Sequence, residues 1–174
     1  MSSPANVVLI GLSGSGKTTV AKLLARRLGW RFVDTDHEIE RRAGQSVAEI
    51  FGQQGEPAFR ALESEVIQDT CARSHQVIAT GGGAVIDAGN RARLVDGNLV
   101  IWLDSTAERL AERLAHSVSR HPRPLLASAD LAARLDELAR EREPHYRCAH
   151  HVVNTDRQTP SEVADALARL VRGR

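Results

Sequence analysis

The stretch Gly11-Leu12-Ser13-Gly14-Ser15-Gly16-Lys17-Thr18 has the spacing G-x-x-x-x-G-K-[ST]. Glycines at these positions let the chain curl so that successive backbone N–H groups face one anion, and a helix beginning at the end of the loop adds its partial positive charge. Lys17, read as exposed on the loop, can reach a β- or γ-phosphate, and the Thr18 hydroxyl can serve Mg²⁺. The flanks agree with this: Val7-Val8-Leu9-Ile10 is a strand-like apolar run, and Val20, Leu23, Leu24 and Leu28 repeat at helical spacing afterwards. A phosphate-binding loop explains both flanks, whereas an ordinary Gly/Ser turn explains neither.

Further candidates follow other apolar runs. Asp34 and Asp36 stand two apart after Arg31-Phe32-Val33, so one carboxylate can serve the metal while the other orients an alcohol and accepts its proton. Mg²⁺ keeps several waters, and Thr18 with one carboxylate suffices for it. The alternative for either aspartate is a helix cap before His37. Asp104, after "LVIWL", rivals Asp34 as metal ligand, but a helix start at Ser105 accounts for an exposed acid there. Gly81-Gly82-Gly83 after "QVIAT" implies backbone that approaches a neighbour closely or takes positive φ, either in a nest for a polar ligand or in a plain turn. Arg60 in "IFGQQGEPAFRALE" is one helical turn from Glu63, which gives a surface ion pair; alternatively its guanidinium faces a substrate carboxylate, with Phe51 and Phe59 as an apolar wall.

The elements that must position these residues alternate along the chain. Residues 7–10, 31–33, 77–79, 99–103 and 151–153 are candidate strands, and segments such as the one carrying Ala107, Leu110, Ala111 and Leu114 have helical spacing. Such alternation predicts an α/β fold with a parallel sheet whose ligands lie beyond the carboxyl ends of the strands. Capping boxes at Ser46/Glu49, Ser105/Glu108 and Thr159/Glu162 predict three helix starts, the last with Pro160 at its first position. Residues 117–128, "SVSRHPRPLLAS", lack a period and have the composition of a lid loop.

With 174 residues the chain fits one domain, and no low-complexity linker divides it. With 23 basic and 22 acidic side chains, it carries no field that points to nucleic acid or an anionic membrane. The apolar run 99–103 is too short to span a bilayer, and Met-Ser-Ser-Pro-Ala lacks the regions of a signal peptide, so a cytoplasmic protein is expected. Cys71 and Cys148 have no metal-ligand spacing and read as reduced structural thiols, and His150-His151 lacks further ligands at matching spacing.

Taken together, "DTD" after the second strand, "IFGQQGEPAFRALE", "GGGAV", "RPLL" and "REPHY" resemble shikimate kinase in order and approximate spacing, from the phosphate loop to the last helix. The resemblance implies a three-layer fold like that of nucleoside monophosphate kinases, with a five-stranded parallel sheet flanked by helices and a mobile lid at about 113–128. It also implies transfer of the γ-phosphoryl of ATP to the 3-hydroxyl of shikimate, a step towards chorismate and the aromatic amino acids. Carried over, Gly14, Ser15, Gly16, Lys17, Thr18 and Thr19 would bind the nucleotide, while Thr18 and Asp34 would serve Mg²⁺. Asp36 would bind the ring hydroxyls and act as base. Arg60 and Arg142 would grip the substrate carboxylate beside Gly81, Gly82 and Gly83, and Arg123 of "RPLL" would touch both the transferring phosphate and the acceptor.

The chain departs from the family pattern at His145, where an aliphatic residue is expected, and at His116, where relatives place an arginine against adenine. Gln158 and Pro160 of "DRQTP" are the remaining candidates for the adenine side. Two competing functions are a kinase for another hydroxy-acid such as gluconate, disfavoured by "FRxxE" and "GGG", and a non-catalytic ATP-binding module, disfavoured by the joint presence of the six charged site residues. A monomer acting on a small molecule is the expectation, with no nucleic-acid or membrane partner.

Overall fold

Apolar runs covered on both faces belong in a buried parallel sheet, and the computed structural model, which describes residues 4–116 and 130–173, buries residues 7–10 and 77–79 in one, while the runs at 31–33 and 151–153 form its half-exposed edges. The strands are β1 (Asn6–Ile10), β2 (Arg31–Asp34), β3 (Gln76–Ala79), β4 (Leu99–Asp104) and β5 (His151–Asn154). They pair in the order β2-β3-β1-β4-β5, every pair parallel. The described helices are α1 (Lys17–Leu28), α2 (Thr35–Ala43), α3 (Val47–Cys71), α4 (Ala88–Val95), α5 (Ala107–Ala115), α6 (Leu131–Tyr146) and α7 (Pro160–Arg172).

Alternation along β1 sorts the two layers. Val7 and Leu9 pack with Val20 and Leu24 of α1 and with Val163 and Leu167 of α7. Val8 and Ile10 face the other way, onto Ile67 of α3, Leu94 of α4, Leu110 of α5 and Leu135 of α6. A separate small core, Ile39 of α2 with Ile50, Phe59 and Val66 of α3, builds a lobe beside the sheet. α3 bends within that lobe at Gly55, whose φ of 83° interrupts the helix.

Each strand exceeds its apolar run by one polar residue. At the amino ends of β1 and β3 the reason is a buried network: Asn6 Nδ2 donates to Arg73 O (2.7 Å) and Asn98 Oδ1 (2.9 Å), and Asn6 Oδ1 accepts from Gln76 N (3.0 Å). Hydrophobicity cannot mark a strand end that side-chain amides satisfy.

The boxes at Ser46 and Thr159 form as expected, but the one at Ser105 does not. α5 is capped by Thr106, whose side chain accepts from Arg109 N, while Ser105 Oγ donates to Asp156 Oδ1 at 2.6 Å. Residues 113–115, at the start of the expected lid, form the last turn of α5, where Leu114 is buried and Arg113 donates to Thr155. The rest of that segment to 128, with Arg123, lies outside the described residues.

Candidate functional site

The order of strands reverses around β1, and the phosphate loop leaves β1 at that point, as ligand sites in open parallel sheets do. Gly11 and Gly16 have φ of 139° and 91°, values that only glycine adopts without strain, and α1 begins directly after them. Lys17 is not exposed as the sequence suggested. It is 8% accessible, and its Nζ donates to Gly11 O (2.7 Å) and Leu12 O (2.8 Å), so the loop is wrapped around its own cation.

The readings of Asp34 as metal ligand and as helix cap meet in one carboxylate. Oδ1 accepts from Asp36 N (3.1 Å) and His37 N (3.4 Å) and caps α2, while Oδ2 accepts from Thr18 Oγ1 at 2.8 Å. Thr18 and Asp34 thus offer adjacent hard oxygens at the edge of the phosphate loop, a donor set that fits Mg²⁺ together with water and phosphate oxygens. No cluster of three or more His, Cys, Asp or Glu ligands exists among the described residues, His150 and His151 included. Asp36 is not the cap; it lies in the first turn of α2.

A cavity of about 1110 Å³ opens between the α2–α3 lobe and the sheet. Asp34, Asp36, Arg60, Glu63, the three glycines and Arg142 all line it, with Phe51 and Phe59 as an apolar side. Arg60 NH1 meets Glu63 Oε2 at 2.7 Å and its NH2 meets Glu56 Oε1 at 2.9 Å. The first pair is no surface bridge, because the Glu63 side chain is 1% exposed. Burial pushes the Glu63 carboxyl upward, against the pull of Arg60 and Arg142. Burial also opposes the Arg60 cation, but Glu63 and Glu56 outweigh it and raise its pKa. Arg142 is buried on α6, and its Nε has no hydrogen-bond partner within the protein. Two guanidinium groups at one cavity wall, that of Arg142 buried and that of Arg60 half-buried, can take a carboxylate.

None of the three glycines has positive φ, so close approach is their reason. A Cβ on Gly83 would lie 2.5 Å from Arg60 NH2, and one on Gly82 would lie 3.3 Å from Arg142 NH1. At Gly81 it would lie 2.7 Å from Asp36 Oδ1 and 2.9 Å from Glu63 Oε1, while the Gly81 N–H donates to buried Thr35 Oγ1 at 3.1 Å. Gly81→Ala should therefore displace the Asp36 carboxylate and lower turnover by roughly 10- to 10²-fold, with nucleotide affinity unchanged. Steady-state kinetics with an ATP-analogue titration check this, and parental turnover would remove Asp36 from the chemistry that Gly81 accommodates.

A second cavity, of about 650 Å³, runs along Ser13–Val20 to Thr155, Asp156, Gln158 and Pro160. Gly14, Ser15, Gly16, Lys17, Thr18 and Thr19 line it. Gln158 Nε2 is tied to Asn154 O at 2.8 Å. His116 does not line this cavity; Arg109 and Arg113, which carry no motif in the sequence, do. Arg113 donates to Thr155 O (2.6 Å) and Arg109 to Asp156 O (3.1 Å), which fixes the loop after β5. Asp104 is half-buried and lines neither large cavity. The two large cavities share Ser13, Thr18, Asp34, Asp36 and Gly82. The phosphate loop and the larger cavity therefore adjoin at Asp36.

Comparison with known proteins gives the same picture. A family model described as shikimate kinase matches residues 13–172. A shikimate kinase of Symbiobacterium thermophilum is 48% identical over 95% of this chain and 95% of its own length, and one of Moorella thermoacetica is 45% identical over 97% and 95%. Among solved structures, the shikimate kinase from Acinetobacter baumannii in complex with shikimate superposes with a TM-score of 0.91 at 36% identity, covering 99% of this chain and 94% of that one.

Proposed function

The chain belongs to the shikimate kinase family, and from that premise we propose how its residues divide the work of moving the γ-phosphoryl of ATP to the 3-hydroxyl of shikimate, the reaction this enzyme catalyses. The observation that carries the assignment is the sharing of Ser13, Thr18, Asp34, Asp36 and Gly82 by the two cavities, since an in-line transfer needs donor and acceptor in contact at one place.

ATP lies along the smaller cavity with its phosphates against the backbone of residues 13–19 and the Lys17 ammonium. Thr18 and Asp34 hold Mg²⁺, which when bound neutralises phosphate charge. Shikimate occupies the larger cavity, its carboxylate between Arg60 and Arg142 and its ring hydroxyls towards Asp36 and the backbone of Gly81–83. Asp36 orients the 3-hydroxyl and accepts its proton at a carboxylate oxygen as the oxygen–phosphorus bond forms. Arg123 belongs to this set by the resemblance of "RPLL" to the family's lid, and it completes the charge around the transferred group.

We read residues 1–174 as a single domain that acts as a monomer in the cytoplasm, with no nucleic-acid or membrane partner. The near-zero net charge supports this reading, and no described helix is long and apolar enough to cross a membrane.

The test is ADP release with shikimate, with gluconate and with neither, repeated for Arg60→Ala and Arg142→Ala. Shikimate alone should drive turnover. Each substitution should weaken shikimate binding by roughly 1.5–3 kcal/mol, the value of a hydrogen bond to a charged group, and leave ATP binding unchanged in titration calorimetry. Equal losses for both ligands would break the carboxylate assignment.

A further inference from the structure

Arg142 and Tyr146 are four residues apart on α6 and so lie on one face of the helix. That face packs on the glycine segment after β3. Tyr146 is 1% exposed, its ring tilted against Trp102 with centroids 5.4 Å apart, and its Oη donates to Gly82 O at 2.6 Å. A phenol oxygen has one proton to give and lone pairs to receive with. The proton is committed to Gly82 O, and the Arg142 guanidinium packs on the same residue, its NH1 3.3 Å from where a Cβ on Gly82 would stand.

Gly82 O is itself a fixed point. Gly81 N donates to Thr35 Oγ1, Ala84 N to Gly81 O and Ile86 N to Gly83 O. From α4, Arg91 NH1 donates to Val85 O (2.6 Å) and Ile86 O (2.7 Å) and reaches His145 Nδ1 at 3.2 Å. The glycine segment is thereby stapled at both ends, and Gly82 within it meets both the Tyr146 phenol and the Arg142 guanidinium from one face of α6. Tyr146 does not line the acceptor cavity, whereas Arg142 does.

We propose that Tyr146 is the positioning residue of Arg142: it references the guanidinium to the Gly82 carbonyl and so leaves the rest of the fork aimed at the acceptor carboxylate. The proposal rests on the assignment of Arg142 to that carboxylate. Burial pushes the phenol up to about 12, so the proton donated to Gly82 stays in place throughout the neutral range.

The experiment uses the full chain. Tyr146→Phe keeps the ring and its packing and removes only the oxygen. KM for shikimate should rise about tenfold, the effect of losing one charge-assisted contact, while kcat stays within about twofold and KM for ATP does not move. In the double variant with Arg142→Ala, Tyr146→Phe should add nothing further. Trp102→Leu, which disturbs the packing of the ring but not its oxygen, should leave KM for shikimate near the parental value, a result that a purely structural role does not give. Arg142→Lys, which cannot meet Tyr146 and present a planar fork together, should reproduce the rise by itself and serves if Tyr146→Phe fails to melt cooperatively. An unchanged KM in Tyr146→Phe, or additive losses in the double variant, overturns the proposal. If Arg142→Ala leaves KM for shikimate unaltered, the failure lies earlier, in the carboxylate assignment, and the proposal falls with it.

Discussion

Lys17→Met should abolish turnover and leave a folded protein. The methionine side chain is close in length to the lysine stem and can occupy its buried course through the loop, so what disappears is the ammonium. Nζ is held at 2.7 Å by Gly11 O and 2.8 Å by Leu12 O, and this places a positive charge at the centre of the loop before any phosphate arrives. Losing that donor costs the two carbonyls about 1–3 kcal/mol, against a typical domain stability of about 5–15 kcal/mol. The cost to catalysis is larger, because the cation stabilises charge that moves onto the β–γ bridge and the γ-oxygens only as the phosphoryl group leaves. Removing one such preorganised group lowers kcat by about 10²–10³, and the accompanying loss of phosphate binding brings kcat/KM lower still. Coupled ADP release, with melting followed by circular dichroism, checks both halves. Activity near that of the parent would sink the role of the loop, whatever the melting temperature.

The phosphate loop was legible because its chemistry is local: eight consecutive residues contain the turn, the cation and the hydroxyl. The sheet was legible because the middle of a strand buried on both faces must be apolar, as β1 is over residues 7–10. Strand ends and helix caps were harder, since polar side chains replace apolar burial there. Asn6 extends β1 through its amide, and Thr106 takes the cap that Ser105 seemed to offer because Asp156, from the loop after β5, claims the Ser105 hydroxyl. The acceptor site was legible only as residue types. Arg60 could be read as a surface pair with Glu63 or as facing a ligand, and spacing could not decide between them: the pair forms, but with a buried Glu63 and in the wall of the cavity. Arg113 left no sequence signal of function, and Tyr146 left only its place in "REPHY", since a tyrosine on an amphipathic helix reads as core and an arginine on α5 reads as surface. Only the approach of α6 to Gly82, and of α5 to the loop after β5, gives them partners.

Asp36→Asn should lower kcat by roughly 10²–10⁴, the range for removal of a positioned general base, with ATP affinity little changed. The substitution keeps size and shape at a point where there is no spare room, as the Cβ built on Gly81 shows by coming within 2.7 Å of Asp36 Oδ1. What it removes is the basic oxygen and the negative charge. The fold gives this test unusual clarity. Had Asp36 been the cap of α2, asparagine would have served almost as well in that role, and any loss could be blamed on the helix; but the cap is Asp34, which accepts from the N–H groups of Asp36 and His37 and is untouched. The remaining structural cost is the favourable placing of one carboxylate in the first turn of a helix, about 0.3–1 kcal/mol. Phosphoryl transfer is often loose, with late proton movement, so part of the loss in kcat will come from an alcohol held slightly out of line and part from missing basicity. The two contributions can be separated by their pH dependence. A base that must be ionised gives the parent an acidic limb in kcat that Asp36→Asn lacks, whereas an orienting role alone leaves the shape of the profile unchanged and lowers its height. Near-parental kcat together with unaltered shikimate affinity would defeat both, and would leave the carboxylate at the junction of the two cavities without a part in the reaction.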